Sequence, residues 1–182
     1  ICVSLNEAVV HGIPTERQIR SGDIVSIDIG VKFRDYYADA AVTIGVGEIN
    51  DTAKRLIDTA RKALYAGIEN AVSGRRLSDI SSSIQAFVEA AGFSVVRALV
   101  GHGIGREIHE EPEVPNFGRP CTGAKRKTGT VLAIEPVSNA GTFEVEVLDD
   151  GWTALTKDRK LSAHFEHTIA VMDQRAEILT KI

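Results

Sequence analysis

The sequence predicts an α+β domain made of two similar halves around a mostly antiparallel sheet. Three observations carry this. Helical periodicity is confined to one block, residues 51–91, set between groups of short β-type runs. No linker or low-complexity stretch divides the 182 residues, enough for a single domain with its own core. Residues 22–28 and 129–135 nearly repeat each other: a glycine turn, an apolar β-type run, then a carboxylate, Asp28 in one and Glu135 in the other. Each is followed by a second acid inside another β-type run, Asp39 in Tyr36–Ile44 and Glu166 in His164–Val171.

In chain order, Asp23–Ile29 and Tyr36–Ile44 read as strands of a hairpin turning between Phe33 and Arg34. Ala53, Leu56, Ile57, Ala60, Ala63, Leu64, Ile68 and Ala71 then recur at helical spacing, with Asn50 as N-cap and Gly74 beyond the end. Gly67 lies on the same face, where glycine costs about 1 kcal/mol against alanine. Leu77, Ile80, Ile84, Phe87, Val88 and Ala91 make a second helix, capped by Ser78 and stopped by Gly92. The short connection through Ser73–Arg76 predicts that the two helices pack as an antiparallel pair. Further strands are expected at Ser94–Val100, Thr130–Val137, Thr142–Leu148, Trp152–Thr156 and His164–Val171, with Asp149-Asp150-Gly151 as a hairpin turn and Pro112–Pro120 as an irregular loop.

Composition narrows the function. A formal charge of −4 gives no basic surface for nucleic acid or an anionic membrane. No apolar run approaches the ~18 residues of a membrane span, and no basic-then-apolar leader is visible. Cys2 and Cys121 are too few for a disulfide framework, so free thiols in a reducing compartment are expected. The chain opens at Ile1 inside an apolar run. A long stretch, Asn50–Thr128, precedes Gly129, whereas only residues 1–21 precede Gly22. If the halves are equivalent, the first lacks the counterpart of a helix pair, and the chain is an N-terminally truncated single domain.

Four acids on apolar strands need a counter-charge, because an unpaired buried carboxylate costs several kcal/mol or more. Asp28 and Asp39 are symmetric about the Phe33–Arg34 turn, which would set them directly opposite each other, about 5 Å apart at Cβ. Two ionised acids that close repel unless a cation lies between them. Glu135 and Glu166 make the matching pair. Oxygen ligands suit hard divalent ions, and an imidazole shifts the preference towards Mn, Fe, Co or Zn. The densest polar cluster, Val100–Pro112, supplies the candidates His102 and His109, with glycines flanking His102 so that the backbone can come close to whatever it touches. Its Gly-x-Gly-x-Gly spelling lacks the Lys-Ser/Thr of a phosphate loop. His11 sits in an apolar stretch, His167 should face away from Glu166, and His164 shares the parity of Glu166 without a motif of its own.

Together these residues resemble the methionine aminopeptidases, type I (bacterial-style), enzymes of the pita-bread fold. The matching pieces are Ser4–Pro14; Asp28 and Asp39; Gly101–Arg106 with His109–Pro112; Ile134-Glu135-Pro136; and Asp150–Thr153 through His164–Thr168. The match runs essentially end to end. The resemblance implies two pseudo-symmetric α+β halves, and two divalent ions held by Asp28, Asp39, His102, Glu135 and Glu166, with Asp39 and Glu166 bridging. It implies hydrolysis of the first peptide bond to remove the N-terminal methionine from new polypeptides, with Glu135 relaying the proton. His109 would hydrogen-bond the scissile carbonyl, and His11 would hold the leaving side. Cys2, Ile108 and Trp152 fall at positions of the methionine pocket, with Ile108 where relatives often carry an aromatic. Trp152 alone would otherwise read as core packing at a hairpin. Tyrosines that complete this pocket in the family lie upstream of the position of Ile1. Asn6 and Ser162 match positions that bind a monovalent cation. A cytoplasmic monomer meeting nascent N-termini near the ribosome is the implied setting. The same five ligands would also serve a Xaa-Pro aminopeptidase or dipeptidase, and a non-catalytic peptide-binding module is a further alternative. The Val9–Pro14, His109–Pro112 and Ala163–Thr168 stretches argue against the former, and the complete ligand set against the latter.

Overall fold

A computed structural model describes residues 1–181. In chain order the elements are β1 (Cys2–Leu5), β2 (Ala8–Val10), β3 (Ile24–Phe33), β4 (Tyr36–Gly45), α1 (Asp51–Glu69), α2 (Leu77–Ala90), β5 (Ser94–Val95), β6 (Val100–Gly103) and β7 (Glu110–Pro115). They continue with β8 (Val131–Ile134), β9 (Val137–Asn139), β10 (Val145–Val147), β11 (Ala154–Thr156), β12 (Ser162–His164), β13 (Glu166–Ala170) and β14 (Glu177–Ile178). The main sheet runs β1-β3-β4-β13-β8-β6-β7, with β14 beside β13, and every pairing in it is antiparallel. Two three-stranded sheets, β10-β11-β2 and β12-β9-β5, complete the α+β architecture.

The helices follow from local signals. Asn50 Oδ1 accepts the Ala53 N–H at 2.9 Å and caps α1, a bond worth about 1 kcal/mol. The apolar stripe of α1 buries Ala53, Leu56, Ala60, Ala63 and Leu64 against Ile80, Ile84 and Val88 of α2 and against Leu132, Ile134 and Ile169 on the outer face of the sheet. Gly67 has a packing reason: a Cβ there would lie 2.9 Å from Ile84, so the glycine lets the helices approach. The start of α2 corrects the expected cap. Its N-cap is Arg76, whose N–H donates to Asp79, while the Ser78 hydroxyl binds the backbone of Thr122 instead. Helix α1 stops at Glu69, before Gly74, and Gly92 follows α2 in a left-handed conformation as expected.

The strands differ from the simple reading in five places. The expected runs 130–137 and 164–171 both break: β8 leaves the main sheet after Ile134 and resumes as β9 in a small sheet, and β12 crosses back to become β13 past Phe165. The same chain pair is thus matched twice, β8 with β13 and β9 with β12, around a corner at Pro136 and Phe165. Ser94–Val100 likewise splits into β5 and β6, in separate sheets. The first part of the expected loop Pro112–Pro120 instead belongs to β7 (Glu110–Pro115) on the outer edge of the main sheet, a place that tolerates Pro112 and Pro115. The hairpin of β3 and β4 turns at Arg34-Asp35, both with positive φ, in the two-residue form that matches strand twist. Asp39 therefore pairs with Gly30, and Asp28 with Ala41. The two acids are diagonal neighbours on one face and do not sit directly opposite.

One apolar surface is left open. On the outer face of the β3–β4 hairpin, Ile29, Val31, Phe33, Tyr36, Val42 and Ile44 are all exposed. The face opposite the α1–α2 layer carries the polar residues considered next.

Candidate metal centre

Register places all five expected ligands on that inner face. Asp28 pairs with Ala41, and Ala41 with Glu166. His102 pairs with Ala133, and Ala133 with Thr168. Strand side chains alternate, so Asp39, two residues before Ala41, and Glu135, two after Ala133, share the face. Ligating atoms of Asp39, His102 and Glu166 all come within 4.8 Å of one another, and all three residues are buried. Asp28, beside Asp39, and Glu135, with its side chain 14% exposed, complete the group. Glu135 and Glu166 stand at the corner where the strands change sheets. The break missed in the sequence therefore aims two acids inward at the same level.

Each ligand is mounted on rigid backbone. The glycines beside His102 serve its neighbours more than its own contacts: a Cβ at Gly101 would sit 2.4 Å from the Ala133 carbonyl oxygen, and one at Gly103 2.2 Å from that of Glu111. They let β7 and β8 close on β6. The His102 Nδ1 lies 2.8 Å from the Gly103 carbonyl oxygen and donates to it. That leaves Nε2 as an acceptor towards the site, 3.5 Å from Glu135 Oε1, the arrangement typical of an imidazole ligand. Asp39 is held through its main chain, whose N–H donates to the Thr168 hydroxyl at 2.8 Å while its carbonyl accepts from that same hydroxyl at 2.8 Å.

Electrostatics show a deficit of positive charge. Burial, followed by the Asp39 charge, pushes the Asp28 carboxyl up to about 6. Burial and the charges of Asp28 and Asp39 drive Glu135 well above its ordinary value, and burial with Glu135, Asp39 and Asp28 does the same to Glu166. Glu166 Oε1 is buried with no hydrogen-bond partner. Burial lowers His102. Four carboxylates that repel, an orphaned oxygen and a neutral imidazole lone pair, converging on one point, fit a divalent cation, and the oxygen-rich set with one nitrogen fits first-row metals such as Mn, Fe, Co or Zn.

Of the other expected residues, His11 and His109 line a cleft of about 500 Å³ whose wall also holds His102, Asp28, Glu135 and His164, whereas Cys2, Ile108 and Trp152 lie outside that lining. His109 meets His102 edge to face at 4.4 Å between ring centres. His11, at φ 59°, stacks on Trp152 at 4.6 Å with the rings 22° apart. Trp152 is 53% exposed, so core packing does not explain it. Cys2 pairs with Asp28 across β1 and β3, and the Ile108 side chain lies over Gly30. Both cysteines are free thiols. The Asn6 side chain is engaged at both ends, donating to Asp23 and accepting from Ile24, so a monovalent cation would depend on the Asn6 carbonyl and Ser162. The Asn6 carbonyl already accepts from the Ser162 N–H. His167 faces outward, bonded to Thr180, as its parity requires. His164, which shares the parity of Glu166 without a motif of its own, is a wall residue of the cleft.

Fold and centre together define a metallopeptidase. The chain belongs to metallopeptidase family M24, whose model matches residues 1–173. It is 54% identical over its whole length to a methionine aminopeptidase of Clostridium perfringens and 50% identical to methionine aminopeptidase 1 of Bacillus subtilis, covering 73% of each. The crystal structure of methionine aminopeptidase from Thermotoga maritima superposes with a TM-score of 0.98 at 49% identity, over all of this chain and 73% of that one. The pita-bread architecture that the resemblance implied is the fold observed. No helix among the described residues is long and apolar enough to cross a membrane.

Proposed function

We propose that this chain removes the N-terminal methionine from newly made polypeptides by hydrolysing the first peptide bond. The observation that carries it is the convergence of Asp28, Asp39, His102, Glu135 and Glu166 on one face of the sheet, beside a cleft walled by His11 and His109, in a chain similar throughout to methionine aminopeptidases. Two divalent ions would be held there, with Asp39 and Glu166, central in the cluster, shared between them. Asp28 would complete one site, and His102 with Glu135 the other. Bound ions would supply Lewis-acid activation of water and of the scissile carbonyl.

The chain's own residues do the rest. Glu135, in the cleft wall beside His102, takes the proton of the attacking water and passes it to the leaving amine. His109 donates to the carbonyl oxygen as charge develops on it. His11, fixed by its stack on Trp152, holds the leaving peptide. Cys2, Ile108 and Trp152 form an apolar slot suited to a flexible thioether. The substrates are nascent-chain N-termini, met near the ribosome by a cytoplasmic monomer.

The test is chelation and reconstitution of the full-length protein, followed by hydrolysis of Met-Ala-Ser and of an Ala-Pro substrate. Metal-dependent cleavage of Met-Ala-Ser is expected. Preference for Ala-Pro would move the assignment to a Xaa-Pro peptidase, and the absence of any divalent-ion binding would leave a peptide-binding module.

A further inference from the structure

His164 is the one histidine in the cleft wall that the reading above does not use, and it is unusually placed. It is 2% exposed, and neither ring nitrogen has a hydrogen-bond partner. A buried polar group left unpaired costs about 1–3 kcal/mol, so a histidine kept in this state needs a use. Its mount is firm. His164 pairs with Val137 between β12 and β9, its N–H donates to the Thr43 hydroxyl at 2.8 Å, and its carbonyl accepts from that hydroxyl at 2.8 Å. Thr43 in turn is 2.7 Å from the Ser26 hydroxyl. The backbone that carries the ring is thus anchored to the β3–β4 hairpin.

The ring points at Glu135. Its Nε2 lies 3.9 Å from Glu135 Oε2, slightly beyond a hydrogen bond, while His102 Nε2 lies 3.5 Å from Oε1 on the other side of the same carboxylate. Glu135 is bracketed by two imidazoles. One is a ligand whose ring is fixed by the Gly103 carbonyl, and the other is free to donate. From this juxtaposition we infer that His164 is a positioning residue: a shift of under about 1 Å brings its Nε2–H into hydrogen-bond range of Glu135 Oε2, which would set the carboxylate's rotation and leave Oε1 facing the metal position beside His102. This rests on the proposed role of Glu135 as a ligand. Groups that orient a ligating carboxylate or imidazole typically contribute 10–100-fold to metal affinity or activity.

The experiment titrates the metal-free full-length protein with Mn²⁺ by calorimetry and measures kcat and KM on Met-Ala-Ser with saturating metal. His164→Leu, which keeps the volume and removes the donor, should weaken Mn²⁺ binding by roughly 10–100-fold and lower kcat, with KM changed less than about twofold. His164→Gln restores an N–H donor and should recover most of both losses. His164→Met provides a second apolar variant where Leu prevents folding. Wild-type Mn²⁺ affinity in the apolar variants overturns the proposal, since packing alone would then account for the residue. A raised KM with unchanged metal affinity also overturns it, because the ring would then face substrate. Failure of the wild type itself to bind Mn²⁺ overturns the ligand assignment of Glu135, and this role with it.

Discussion

In the metal-free protein, neutralising Asp28 should stabilise the fold, although Asp28 is placed as a ligand. The Asp28 carboxyl rises from 3.8 to about 6, through burial first and the neighbouring Asp39 charge second. A group whose folded value is raised gives its stability at low pH, below about 4, and loses it as pH rises through about 6. At ~1.36 kcal/mol per unit the full shift would be about 3 kcal/mol, but the carboxyl is partly exposed and screened by solvent, so carrying it ionised in the folded state at neutral pH costs about 1–2 kcal/mol. The Asp28 charge also raises Glu135 and Glu166, so removing it relieves them as well. The assay is urea unfolding of wild type and Asp28→Asn with chelator present, from pH 5 to 7.5. The variant should gain on the wild type as pH rises, by about 1–2 kcal/mol at pH 7.5. Adding Mn²⁺ should reverse the order, because an ion at about 100 times its Kd stabilises the wild type by ~2.7 kcal/mol and the variant by less. A chelated wild type that outlasts Asp28→Asn at pH 7.5 would refute the reasoning, since the acids would then be satisfied without a cation.

Two further outcomes follow from the same geometry. Glu166→Ala removes the acid most central to the buried cluster and should abolish nearly all peptidase activity while leaving a folded protein by circular dichroism; retained activity would refute the two-metal assignment. Thr168→Val removes the hydroxyl that serves both the N–H and the carbonyl of Asp39, and should lower unfolding stability by about 1–3 kcal/mol in denaturant titrations.

The centre was legible in the sequence because its chemistry conflicts with its surroundings. An Asp or Glu closing an apolar strand is locally unfavourable, and repetition of the conflict at Asp28 and Glu135 identified it. Register was less legible. The Arg34-Asp35 turn puts two non-glycine residues at positive φ, so no Asn-Gly or Asp-Gly signal marked its position, and the pairing of Asp39 slipped by two residues. The sheet change at Pro136 and Phe165 was hidden because the apolar pattern continues through it, and which strand pairs with which is a long-range matter. Two prolines disguised β7, which an edge position accommodates. His164 was half legible: it shares the parity of Glu166 and lies in the matched His164–Thr168 stretch, but a histidine between Ala163 and Phe165 acquires a role only once its neighbours in space are known.

The joint between β4 and β13 has a mechanical meaning. Only Glu166–Ala41 and His167–Ala40 pair across it in register, and the next rung is supplied by the Thr168 side chain. Asp28 and Asp39 lie on one bank of this seam, and His102, Glu135 and Glu166 on the other. Ions shared by the two banks would act as rivets, closing the long span of chain from Asp39 to Glu166 much as a crosslink closes a loop. A short seam in the sheet and the reactive centre would then be one object. Stripping the metal should loosen the two halves against each other before either half melts, and slow hydrogen exchange along β4 and β13 would report how firmly the rivets hold.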